Sequence, residues 1–128
     1  MSTTTARIKQ IATVVVPVSD QERALEFYVA GLGLTKGTDV AMGEQYRWLE
    51  VTPEGAATTI AIVPPPPGKP GPGVETGISL QTNDIDGYHA RLQQAGVDVD
   101  AEVSRIGDPV PPMFWLRDPE GNTLMVVQ

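Results

Sequence analysis

One segment of this chain occurs twice. Trp48-Leu49-Glu50-Val51-Thr52-Pro53-Glu54-Gly55 reads closely like Trp115-Leu116-Arg117-Asp118-Pro119-Glu120-Gly121. Each copy is a Trp-Leu pair, a Pro-Glu-Gly turn and then an apolar run, Thr59–Val63 in the first and Thr123–Val127 in the second. The copies are offset by 67 positions at the tryptophans and 66 at the prolines, about half of the 128 residues. A chain built this way is expected to fold as two related halves with a cavity between them.

The pattern around the repeat names its elements. Ile11–Val18 is an apolar, β-branched run and reads as a strand. Ser19-Asp20-Gln21-Glu22 reads as a capping box, with the serine hydroxyl and the glutamate satisfying helix-start donors reciprocally. Leu25, Tyr28 and Leu32 then recur at helical spacing, and Gly31 and Gly33 supply a stop. Strands are expected near Leu34–Val40, Gln45–Val51 and Thr58–Val63. The second half repeats the order. Gly77–Thr82 is a strand, and Asp84 caps a helix with Ile85, Tyr88, Leu92 and Ala95 on its apolar face, stopped by Gly96. Val97–Val103, Met113–Arg117 and Asn122–Val127 supply strands. Asp118-Pro119-Glu120-Gly121 carries type I turn chemistry. Between the halves, Pro64–Gly73 is so rich in proline and glycine that it reads as a stiff spacer. The expected fold is α+β, a single domain of two pseudo-symmetric βαβββ modules, one over about residues 11–63 and the other over about 76–128.

Composition narrows the function. Nine basic residues against sixteen acidic give a net charge of −7, which argues against a nucleic-acid partner and mildly favours a cationic ligand. With no cysteine, disulfides, thiolate catalysis and Cys-based zinc sites are all excluded. The longest apolar runs are far too short to span a bilayer, and Met1–Gln10 is polar with no apolar signal core after it. A cytoplasmic location with no membrane partner is expected.

The ordered set Val16-Pro17-Val18-Ser19-Asp20, Ala24-Leu25-Glu26-Phe27-Tyr28, Gly31-Leu32-Gly33-Leu34, Asp84-Ile85-Asp86, Arg91-Leu92, Ala95-Gly96-Val97 and Arg117-Asp118-Pro119-Glu120-Gly121-Asn122 resembles the vicinal oxygen chelate superfamily. That superfamily includes glyoxalase I, bleomycin-resistance proteins, fosfomycin-resistance enzymes and extradiol dioxygenases. The resemblance runs from about residue 11 to the C-terminus. It implies paired βαβββ modules curving around a cleft, often in homodimers. It also implies four cavity-facing ligand positions in metal-dependent members. Counted from the helix-opening aspartates and the Asp-Pro turn, these fall on Thr13, Ala61, Gly77 and Met125. None is a normal ligand for a hard or borderline divalent ion. A metal-free branch, with no metal and no cofactor, is therefore expected.

Strand alternation fills in the rest of the face. Thr13, Ser79, Gln81, Thr123 and Met125 are expected to line the cleft as ligand contacts, with Met113 as adaptable wall. Trp48 and Trp115 either stack on a planar ligand or pack between the repeats. Glu50 is a carboxylate where an apolar residue would pack better. It is the candidate general base or counter-ion, the alternative being a rim glutamate paired with an arginine. His89, the sole histidine, is placed on the outer face of the second helix. Two functions follow. The first is a metal-independent protein that binds a small organic molecule in the cleft, as an antibiotic-sequestering protein would. The second is a metal-free isomerase, lyase or cyclase using Glu50 as base. The sequence leaves open whether the chain is an enzyme.

Overall fold

A computed structural model describes residues 5–128; the polar stretch Met1–Gln10 lies partly outside the described residues. The first half runs β1 (Thr13–Pro17), α1 (Gln21–Glu26, continuing as a π-helical turn Phe27–Gly31), β2 (Thr35–Ala41), β3 (Arg47–Thr52) and β4 (Thr59–Val63). The second runs β5 (Glu75–Gln81), α2 (Ile85–Gln94), β6 (Asp98–Val99), β7 (Met113–Arg117) and β8 (Thr123–Val127). Each half is a four-stranded sheet, ordered β1-β4-β3-β2 and β5-β8-β7-β6. In both, the first strand pairs in parallel with the last, and the remaining neighbours are antiparallel. The expected α+β fold with its doubled βαβββ order is present.

Alternation along the strands decides which face is buried. Leu49 and Val51 of β3, Ile60 and Ile62 of β4, Phe114 and Leu116 of β7, and Leu124 and Val126 of β8 are almost fully buried, and they join one core with Tyr28, Leu32, Ile85 and Leu92. Successive side chains on a strand point to opposite faces, so every intervening residue lies on the other side of its sheet. The helices sit among the inner faces of both sheets. Gln21 Nε2 of α1 donates to the carbonyls of Arg47 and Ile62 in the first sheet. The other flank of the same helix, Arg23 to Gly31, forms a groove of about 650 Å3 with Val97, Asp98 and Arg117 of the second half. Because both sheets turn their apolar faces to this shared core, their outer faces look away from each other.

Several local readings are corrected. The first helix is capped by Asp20, whose side chain accepts from Arg23 N at 3.1 Å, and not by Ser19. Ser19 instead donates its backbone N–H and its hydroxyl to Glu120. The helix does not stay α to its end, since Leu32 N reaches back five residues to Phe27 O at 2.9 Å. The strand expected over Val97–Val103 shrinks to two residues, because the Asp100 carboxylate takes the backbone N–H of Trp115 and one nitrogen of Arg117. His89 faces inward and is buried, with Nε2 2.7 Å from Asp100 O and its ring edge-on to Phe114. The proline-rich connection is more than a spacer: Gly71 packs against Pro17, and Asn122 Oδ1 accepts from Gly73 N and Val74 N. Among the described residues no helix is long and apolar enough to cross a membrane.

Candidate functional site

The outer face of the first sheet is built by register. Val15 of β1 lies beside Ala61 of β4, which lies beside Glu50 of β3; one step along, Thr13 lies beside Thr59, and their hydroxyls are 2.9 Å apart. Trp48 stands two residues before Glu50 on the same face, and its Nε1–H donates to Glu50 Oε2 at 2.7 Å. Both side chains are half-buried. The carboxylate is bordered by small residues. Ala61 is its partner across β4, and Gly37 of β2 lies against its other flank, where an added methyl would sit 3.7 Å from Glu50 Cβ. That is ordinary contact, and the φ of Gly37 is not positive, so the backbone does not demand glycine there. What the missing side chain does is leave the flank of Glu50 open. A glycine inside a strand pattern is a signal of close approach, and it is the mark by which Gly37 could have been found from sequence.

The other charged residues of β2 and β3, Lys36, Asp39 and Arg47, are already paired with one another and with Glu22. Arg47 holds Asp39 through two nitrogens, at 2.8 and 2.9 Å, and also contacts Glu22; Lys36 reaches Asp39 at 2.9 Å. The hydrogen bonds from Arg47 and Lys36 hold the Asp39 carboxyl well below the usual carboxylate range. Among the described residues Glu50 takes part in no ion pair.

The outer face of the second sheet carries the remaining predicted residues. Ser79, Met125 and Trp115 form one row across β5, β8 and β7; Gln81, Val127 and Met113 form the next; Thr123 lies beside Arg117. Trp115, Met113 and Met125 are half-buried, whereas Ser79 and Gln81 are exposed. Ser79 and Gln81 also border a cavity of about 590 Å3 at the seam between β1 and β5, with Ile11, Val15 and Ile78. The predicted residues thus fall into two sets, Thr13, Trp48 and Glu50 on one face and Ser79, Gln81, Met113, Trp115, Thr123 and Met125 on the other.

The four positions that the family resemblance assigns to metal ligands, Thr13, Ala61, Gly77 and Met125, bring no set of donors that fits a hard divalent ion. Thr13 spends its hydroxyl on Thr59, Ala61 and Gly77 bring no donor, and Met125 offers only a thioether. Among the described residues no group of three or more His, Asp or Glu side chains is placed to hold an ion. Hard divalent ions need oxygen or imidazole ligands, and thioethers suit soft ones. The fold's chelating chemistry therefore has no seat at these positions.

Comparisons with known proteins agree with this architecture. The sequence profile described as the Glyoxalase/Bleomycin resistance protein/Dioxygenase superfamily matches residues 10–126. The uncharacterized protein YetH of Bacillus subtilis (strain 168) is 32% identical over 124 residues, covering 93% of this chain and 98% of YetH. The crystal structure of TnmS3, an antibiotic binding protein from Streptomyces sp. CB03234, is 36% identical with a TM-score of 0.83, over 97% of this chain and 98% of that one. A superfamily member from Sphaerobacter thermophilus DSM 20745 is 35% identical with a TM-score of 0.86, over 94% and 97%. A profile match over nearly the whole chain, carried on two βαβββ halves, means that the chain belongs to the glyoxalase/bleomycin resistance protein/dioxygenase superfamily.

Proposed function

We propose that this is a metal-independent binding protein of the bleomycin-resistance kind, which sequesters a small organic molecule and works as a homodimer in the cytoplasm. The observation that carries this reading is the pair of outer sheet faces. Each presents a half-buried tryptophan beside small or flexible side chains, and among the described residues neither presents a set of hard metal ligands. Flat indoles stack on flat ligands, and Met113 and Met125 adapt to irregular shapes. The likeness to TnmS3, an antibiotic binding protein, supports the same reading.

The dimer follows from how the faces point. A ligand pocket normally buries most of its ligand, yet Trp48 and Trp115 lie on faces that look apart within one chain. A second copy laying its second sheet over the first sheet of its neighbour would enclose a ligand between the two tryptophans, twice per dimer. Exposed Ile11, Val15 and Val40, at 69%, 47% and 47%, would be covered in the process.

Sedimentation and a thermal-shift survey of small organic compounds test both halves of the reading. The expected result is a dimer at micromolar concentration. A ligand at 100 times its Kd is expected to stabilise the fold by about 2.7 kcal/mol and to be recovered chemically unchanged. A monomer that no compound stabilises overturns the reading, and turnover of the bound compound replaces the binder with a metal-free enzyme.

A further inference from the structure

The two halves differ in charge at one matched position, and the difference points to a ligand. In the repeat, Glu50 follows Trp48 by two residues as Arg117 follows Trp115. Arg117 is satisfied within the fold, with one nitrogen 2.8 Å from Asp100 and another 2.9 Å from Asp98. Among the described residues Glu50 has no such partner. Its one side-chain hydrogen bond among them runs from Trp48 Nε1 to Oε2, which fixes the carboxylate beside the indole edge and leaves Oε1 open to a ligand. The bases nearest along the sheet, Lys36 and Arg47, are held by Asp39 and Glu22. Gly37 and Ala61 on either side keep the approach to that oxygen clear.

We infer that Trp48 and Glu50 form one subsite for a planar organic cation, its ring against the indole and its protonated nitrogen on the free carboxylate oxygen. This rests on the small-molecule reading above and gives that ligand a chemical class. The indole N–H bond pre-orients the carboxylate, so that a donor in the plane of a stacked ring meets a fixed acceptor. A half-buried, charge-assisted hydrogen bond is stronger than a neutral one. The chain's net charge of −7 draws cations to every face alike; the subsite adds a local preference on this one.

Calorimetric titration of the full chain with three tricyclic probes tests the assignment: 9-aminoacridine (cationic at neutral pH), neutral acridone and anionic acridine-9-carboxylate. The cation is expected to bind most tightly. Glu50→Gln, nearly isosteric, is expected to weaken 9-aminoacridine by about tenfold or more while acridone changes little and the unfolding midpoint holds. Gly37→Val, which crowds the carboxylate, is expected to weaken the cation as well. A cation preference that survives in Glu50→Gln belongs to the global charge and overturns the subsite. An equal loss for acridone marks a merely structural role and also overturns it. If none of the three probes binds while a compound of another class stabilises the protein, the subsite falls and the binding reading stands.

Discussion

Tyr28 donates its hydroxyl to Asp118 Oδ2 at 2.8 Å, across 90 positions of sequence and from one half of the fold to the other. Both residues are buried, and Asp118 is completed by Asn122 Nδ2 on the same oxygen and by the backbone N–H groups of Glu120 and Asn122 on Oδ1. Burial first, and then the neighbouring Asp118 carboxylate, push the tyrosine well above its ordinary pKa of 10.0. The neutral donor is therefore retained throughout the working pH range.

Removing that hydroxyl by Tyr28→Phe takes one of two donors from a buried oxygen. A loss of about 1–3 kcal/mol is expected, read as a lower urea midpoint with unchanged slope. The alkaline limb is expected to change too. Above about pH 10 the unfolded tyrosine ionises while the folded one does not, so the native state holds the extra proton and stability falls as pH rises. Tyr28→Phe is expected to flatten that fall, leaving the smaller contribution of Tyr88, which burial also raises. An alkaline limb of unchanged steepness counts against this account.

Glu120 makes the companion joint. Its carboxylate accepts from Ser19 N, Ser19 Oγ and Asp20 N just ahead of α1. Burial works to raise its pKa, but these hydrogen bonds and the nearby Arg23 outweigh it and hold the group below its ordinary 4.5. A depressed carboxylate stabilises the fold above its unfolded pKa, and that stability is lost as pH falls through the folded value. Glu120→Gln is expected to cost about 1 kcal/mol at pH 7 and to make acid unfolding less steep below pH 4.5. Stability followed by circular dichroism from pH 7 downward checks both.

Much of the fold was legible because alternation is a strong signal. The sequence Met113-Phe114-Trp115-Leu116-Arg117 buries every second residue, as it reads. The π-helical turn was not legible. Leu25, Tyr28 and Leu32 keep helical spacing whether the last bond spans four residues or five, so no residue type marks the change. The cap was misplaced because Ser19 and Asp20 are both good caps, and the distant Glu120 decides between them. The shared face of Trp48 and Glu50 followed from alternation alone. How the two faces stand to each other did not. A repeat says that the halves are alike, whereas their joining is set by long-range contacts such as Tyr28 to Asp118 and Asn122 Nδ2 to Pro17 O at 2.8 Å. Gly37 escaped notice because its contribution is a missing side chain.

The linker supplies a sharper test of packing. Gly71 sits at φ +125°, where side chains are strained, and an added Cβ would fall 2.5 Å from Pro17 Cγ and 2.6 Å from Pro17 Cβ. Proline is a stiff ring held between strand and linker and cannot swing aside. Gly71→Ala is expected to cost more than about 1 kcal/mol, whereas Gly107→Ala, at φ +111° with open space around it, is expected to cost less. Thermal unfolding of the two variants side by side gives the comparison; equal midpoints would place the whole effect in the backbone and none in the contact with Pro17.

The last prediction concerns metal. Thr13, Ala61, Gly77 and Met125, the positions that the family resemblance assigns to metal ligands, bring one committed hydroxyl and one thioether between them. A native-state ligand bound well above its Kd adds stability in proportion to the logarithm of its concentration over Kd, so a resident ion would leave a thermal signature. Elemental analysis of protein purified without chelator is expected to find far less than one equivalent of any transition metal. EDTA, and separately added zinc or manganese, are expected to leave the unfolding midpoint where it was. One tight equivalent in the unaltered protein, lost on changing Thr13 or Met125, would reverse the reading of these two faces as sites for organic ligands alone.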